Sequence, residues 1–188
     1  MNPKKEIEKS LDILKKGGVI LYPTDTVWGI GCDATNYEAV KKIYEIKKRN
    51  DKKTMICLVS SIEMLKKHVQ NIPPTILNFL NKTSKPTTII HKNPLNISKN
   101  LISDDNSIAI RVINNSFCQN LIDSLNKPLV STSANLSGKK TPTEFKEIKN
   151  DILKGVDYVV NLNKDLVCKK ASSIIKFSEN GEITFLRY

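Results

Sequence analysis

Residues 19–32 read Val-Ile-Leu-Tyr-Pro-Thr-Asp-Thr-Val-Trp-Gly-Ile-Gly-Cys. Val19 to Tyr22 is a short apolar run halted by Pro23, and Val27 to Cys32 resumes as a second strand, leaving Thr24-Asp25-Thr26 as the turn between them. On its N-terminal side, Ile7, Leu11 and Leu14 sit at helical spacing in Lys4–Lys16, and Gly17-Gly18 ends that segment. On its C-terminal side, Asn36 caps a helix running to Lys48, with Tyr37, Val40, Ile43, Tyr44 and Ile46 as its inward stripe. Helix, strand, strand, helix is the rhythm of an α/β protein, and the rest of the chain keeps it.

Met55 to Val59 reads as a buried strand. Ser60 or Ser61 caps a short helix, and Pro74 begins another. Strands follow at Thr87–Ile90, Ile108–Ile113, Leu129–Ser131 and Tyr158–Val160, with helices at Ser116–Leu125 and Thr143–Leu153. Ser173–Phe177 and Ile183–Leu186 close the chain around the turn pair Asn180-Gly181. The pattern predicts about seven or eight strands and six helices: a twisted mixed sheet with flanking helices. With 188 residues and no repeat or linker, residues 1–188 are expected to form one domain.

Composition narrows the function classes. Apolar residues are 39% and charged residues 26%, an ordinary globular balance. No apolar run approaches the roughly 18 residues of a membrane span, and no secretory segment is visible, so a cytoplasmic protein is expected. Cys32, Cys57, Cys118 and Cys168 lack metal or disulfide spacing, and His68 and His91 have no partner at ligand spacing, so no metal site is expected. The formal net charge of +11, from 30 basic and 19 acidic residues, points to an anionic partner such as nucleic acid or a nucleotide.

Only three of those 30 basic residues are arginine: Arg49, Arg111 and Arg187. Guanidinium is a rigid, permanently charged fork for carboxylate or phosphate, whereas ammonium is a mobile point charge. Either these three positions require the fork, or codon usage explains them. The run Lys47–Lys53 is similarly double-edged. It is a phosphate-binding cluster, or a solvated helix end whose cations offset the dipole by roughly 0.3 to 1 kcal/mol. Ser131-Thr132-Ser133-Ala134-Asn135-Leu136-Ser137-Gly138 leaves a strand end with hydroxyls, an amide and a permissive glycine, which suits a polar turn or a ligand loop. The P-loop pattern is missing, and Gly29-Ile30-Gly31 lacks the rest of a dinucleotide fingerprint.

Taken together, Tyr22 to Ala34, the Lys47-x-Arg49 pair and Ser131 to Gly138 resemble the YrdC-domain family of L-threonylcarbamoyladenylate synthases, in its short form. The resemblance covers nearly the whole chain, including Ser107–Arg111 and Ser172–Arg187. It implies a YrdC-like fold, similar to dihydroxybutanone phosphate synthase, around a basic cavity. The implied reaction joins L-threonine, bicarbonate and ATP, with Mg2+, into threonylcarbamoyl-adenylate and pyrophosphate. A downstream tRNA threonylcarbamoyl transferase complex would consume the product; whether tRNA also binds weakly to this chain is left open by the sequence.

By motif, the resemblance assigns Lys47, Arg49, Ser133 and Asn135 to a catalytic tetrad at the phosphates. Lys53, Ser107, Thr141 and Arg187 match further ATP-binding positions, and Thr26, Arg111, Ser131 and Ser172 match threonine-binding ones. The chain departs from the family at Asn50, Thr54, Lys85 and Ala171, and Leu58 replaces a histidine of longer members. The competing expectation is a non-enzymatic module binding double-stranded RNA or tRNA, motivated by the +11 charge. It lacks the aromatic platforms such modules use.

Overall fold

The structure is a computed structural model that describes residues 2–49, 55–168, 170–178 and 180–188. The first helix, α1 (Pro3–Lys15), starts where Asn2 accepts from the Lys4 amide at 3.0 Å, with Pro3 pre-set in the first turn. Strands β1 (Ile20–Tyr22) and β2 (Gly29–Gly31) pair antiparallel, Tyr22 opposite Gly29. The second strand is shorter than expected. Val27 stays in the turn, because its amide donates to Thr24 Oγ1 and its carbonyl accepts from the same hydroxyl.

Helix α2 (Tyr37–Lys47) is capped by Asn36, which accepts from the Ala39 amide at 3.0 Å. Val40, Ile43 and Tyr44 are buried as the stripe requires, but Tyr37 in the first turn is 52% exposed. There its carbonyl accepts from Asn100 Nδ2 while the ring faces outward. The remaining elements are β3 (Ile56–Val59), α3 (Ile62–His68), α4 (Pro74–Lys82), β4 (Thr87–Lys92), β5 (Ser107–Val112), α5 (Ser116–Leu125), β6 (Leu129–Ser133), α6 (Asn150–Gly155), β7 (Tyr158–Val159), β8 (Ser173–Phe177) and β9 (Ile183–Arg187).

The helix expected over Thr143–Leu153 is instead a 3-10 turn at Phe145–Glu147 followed by α6. The Glu147 carboxylate takes the Thr143 amide and hydroxyl, closing a tight capping turn. Phe145 then lies 4.9 Å from the buried Trp28 ring. Local helical periodicity gave way to that tertiary contact.

All described strands form one sheet in the order β7-β1-β2-β6-β3-β5-β4-β8-β9. Pairs β1–β7, β3–β5 and β4–β8 are parallel and the rest antiparallel, so the sheet is mixed. Register sorts the side chains by face. Ile56 stands opposite Ala109 and Ser131, Leu58 opposite Arg111, and Gly29 opposite Ser133. On the other face Cys57, Ile110 and Val130 join a core built with α1, α3 and α5, while Ile76 of α4 packs on Ile89 and Ile175. Gly31 is obligatory, since a Cβ there would lie 2.4 Å from the Val130 carbonyl oxygen and 2.7 Å from Tyr22 Cε1. All four cysteines are buried free thiols. Among the described residues no helix is long and apolar enough to cross a membrane.

Candidate functional site

The polar face of the sheet, with the turns at its strand ends, encloses a hollow of about 190 Å3. The three arginines of the chain, Arg49, Arg111 and Arg187, all line it. So do Thr26, Ser131, Thr132, Ser133, Thr141 and Ser172, over a floor that includes Met55, Ile56 and Ile174. Thr141 also borders a second hollow of about 620 Å3, walled by Asn135, Leu136, Pro142, Lys139, Lys140 and Lys149. Pockets for drug-sized ligands measure about 300 to 1,000 Å3. The first hollow suits one small polar molecule, and the pair suits a larger one reaching across Thr141.

Arg49 enters through a helix end. After Lys47 the chain takes a left-handed turn at Lys48 (φ 50°), and the Arg49 amide closes back on the Tyr44 carbonyl at 2.9 Å. That reversal carries the side chain onto β6, where NH1 reaches Thr132 Oγ1 at 3.5 Å. Burial pulls the Arg49 pKa below its ordinary value, although guanidinium stays charged.

Arg111 occupies β5 with a residue exposure of 3%. Its NH1 donates to Asp25 Oδ1 at 2.7 Å, while Nε is buried and has no partner among the described residues. Arg187 comes from the sheet edge, with Nε donating to the Ser172 carbonyl at 2.9 Å and NH2 to Ser172 Oγ at 3.3 Å. Ser172 Oγ in turn meets Thr88 Oγ1 at 2.8 Å. Burial and the nearby Arg111 charge both lower the Arg187 pKa. Crowded, partly desolvated guanidinium groups make this a cavity prepared for anions.

Three motif-derived residues stand elsewhere than on the first hollow. Lys47 is buried behind the loop that follows β6, and its ammonium donates to the carbonyls of Ser133 and Asn135, the latter at 2.6 Å. It buttresses the loop instead of lining the hollow. Burial, followed by the Arg49 charge, brings its pKa down to about 7. Asn135 ties the same loop: Nδ2 donates to the carbonyls of Leu136 at 2.9 Å and Lys139 at 2.6 Å. Its side chain belongs to the larger hollow, and Oδ1 is buried with no partner among the described residues.

Ser107 starts β5, four residues before Arg111, which is about 13 Å along a strand. Its hydroxyl donates to Asp105 Oδ1 at 2.6 Å, and it does not line the first hollow. Lys53, with Asn50 and Thr54, lies outside the described residues. Sequence reasoning passed over Thr132, which its own motif contained, and left the role of Asp25 open in the turn it had already singled out.

A family model named Sua5_yciO_yrdC, described as "Telomere recombination", matches residues 12–188. The chain belongs to the Sua5/YciO/YrdC family. It is 34% identical over 186 residues to a protein of Pseudoalteromonas translucida named threonylcarbamoyl-AMP synthase, covering 97% of this chain and 98% of that one. A putative threonylcarbamoyl-AMP synthase of Methanocaldococcus jannaschii is 37% identical over 188 residues, with 95% and 86% covered. The fold is shared with P. abyssi Sua5 complexed with L-threonine, at TM-score 0.87 and 23% identity. That match covers all of this chain and 54% of the Sua5 chain, so this chain spans about half its length.

Proposed function

We propose that residues 1–188 act as a single YrdC-like domain that synthesises threonylcarbamoyl-AMP from L-threonine, bicarbonate and ATP. The carrying observation is the convergence of the chain's three arginines, with strand-end hydroxyls, on one hollow in a member of this family. Relatives matched along nearly their whole length bear the name of that activity. The RNA-module alternative is less well supported, since the guanidinium groups are enclosed in a hollow whereas duplex binding needs an open cationic surface.

In this reading Arg111, Thr26, Ser131 and Ser172 hold L-threonine, with Arg111 taking its carboxylate. Arg49, Ser133, Thr141 and Arg187 hold the nucleotide. Lys47 and Asn135 shape the loop that presents Ser133, and Lys53 is a further candidate at the phosphates. The threonine amine and bicarbonate condense to a carbamate with loss of water. A carbamate oxygen attacks the α-phosphorus of ATP, the bond to the β-phosphate oxygen breaks, and pyrophosphate leaves. No protein nucleophile is required. The residues hold the reactants together and offset the charge gathered in one small space.

Among the described residues no three His, Cys, Asp or Glu side chains gather to hold a metal ion. In this reading Mg2+ arrives as a substrate component carried on the ATP phosphates, a common arrangement for this ion. The reading places the protein in the cytoplasm, supplying a tRNA threonylcarbamoyl transferase complex. Mixing pure protein with ATP, Mg2+, bicarbonate and each amino acid in turn tests it. Mass detection of threonylcarbamoyl-adenylate with L-threonine alone is expected. Pyrophosphate release without threonine or bicarbonate dependence would overturn it.

A further inference from the structure

We propose that Asp25 is the positioning residue for Arg111 and thereby sets the affinity for the amino acid, an inference that rests on the proposed reading of the cavity. A guanidinium cannot shed its charge when buried, so Arg111 needs acceptors at fixed places. One is present: Asp25 Oδ1, 2.7 Å from NH1. The contact is single, and Nε on the same planar group is left buried with no partner among the described residues. A guanidinium secured by one arm, with further donors uncommitted, is oriented to accept a second carboxylate.

The turn that carries Asp25 is itself tightly held. Thr24 Oγ1 sits at its centre, accepting from the amides of Thr26 at 3.1 Å and Val27 at 3.2 Å and donating to the Val27 carbonyl at 2.7 Å. Thr26 Oγ1 lies 3.0 Å from the same oxygen. Asp25 thus projects from a locked turn, and Thr26 beside it lines the substrate cavity. Asp25 does not line that cavity. Its carboxylate borders a separate hollow of about 420 Å3, together with Thr83, Asn114 and Gln119. The Asp25–Arg111 pair is the partition between the two, so Asp25 acts on the substrate only through Arg111.

Charge and orientation predict opposite signs. Removing Asp25 makes the surroundings of Arg111 more positive, and if local charge alone governed affinity, the carboxylate of L-threonine would be held more tightly. If Asp25 holds the guanidinium in place, binding weakens. Binding of L-threonine by calorimetry, and KM and kcat for each substrate, separate the two in Asp25→Ala and Asp25→Asn. Loss of one charge-assisted hydrogen bond corresponds to about 10- to 100-fold.

Asp25→Ala is expected to raise the threonine Kd and KM by that factor, with kcat and the ATP KM changed less than about threefold. Asp25→Asn keeps an acceptor oxygen in place and should recover part of the loss, which a merely structural defect would not show. If Asp25→Ala does not fold, Asp25→Asn decides, with a threonine Kd about 3- to 10-fold above wild type. Unchanged or tighter threonine binding in the folded variant overturns the inference, as does an equal rise in both KM values. Wild-type protein that binds no L-threonine and forms no adenylate sinks the proposed function as well, whereas an active wild type with unaltered Asp25 variants sinks only the positioning role.

Discussion

Lys47 and Arg111 are both almost fully buried cations, at 2% and 3% exposure, yet they are neutralised differently. Arg111 has a carboxylate at 2.7 Å. Lys47 donates to two backbone carbonyls, and no ion pair to it forms among the described residues. Carbonyl dipoles only partly offset desolvation, and Arg49 adds like charge, so the Lys47 pKa falls to about 7. Arg111 is thus balanced in advance by a carboxylate, whereas Lys47, behind the loop that carries Ser133, meets backbone carbonyls among the described residues. A zwitterionic amino acid suits the first setting and a polyphosphate the second.

The largest expected effect lies at Arg49. Arg49→Ala should lower threonine- and bicarbonate-dependent pyrophosphate release by about 100- to 1,000-fold, the usual loss when one donor to a developing charge is removed. Its thermal unfolding should stay close to wild type, because Arg49 follows the helix end instead of building it. Comparable turnover in the variant would erase the distinction between the phosphate and amino-acid ends of the cavity.

Lys47→Met should instead cost both activity and stability. It leaves the Ser133 and Asn135 carbonyls without their donor, a loss of about 2 kcal/mol or more in urea unfolding. It should also alter the pH dependence. With a folded pKa of about 7 against about 10.4 in the unfolded chain, the unfolded state binds more protons between those values. Lys47 therefore makes wild-type stability rise with pH across that window, and its contribution is flat below pH 7. Nucleotide phosphates favour the charged form, so ATP binding at pH 8 should take up protons, seen as buffer-dependent heats, and Lys47→Met should lose that uptake. The smallest effect belongs to Ser107→Ala, which does not line the first hollow, with the ATP KM expected within about twofold of wild type. A larger change would return Ser107 to the nucleotide site.

Much of this was legible in the sequence because its signals are local. Asn36 caps α2 as its side chain suggests. The scarcity of arginine marked three residues that meet only after folding. Strand order was not legible: β2 lies beside β6, and β3 between β6 and β5, by pairings between segments far apart in the chain. The hydrogen-bond partners of Lys47 and Ser107 escaped for a related reason. Sequence shows that a cation or a hydroxyl exists, but not which carbonyl or carboxylate it meets. Tyr37 and the Thr143–Leu153 stretch have helical periodicity, and exposure at a helix start in one case and the Phe145–Trp28 contact in the other decided their fates.

The division of labour is tested most directly by calorimetric binding of ATP with Mg2+, and of L-threonine, to Arg49→Ala and Arg111→Ala. Reciprocal losses are expected: Arg49→Ala keeps threonine binding and loses ATP by about tenfold or more, and Arg111→Ala does the reverse. Equal weakening of both ligands in both variants, or no weakening in either, would contradict a cavity with one end for phosphate and the other for the amino acid.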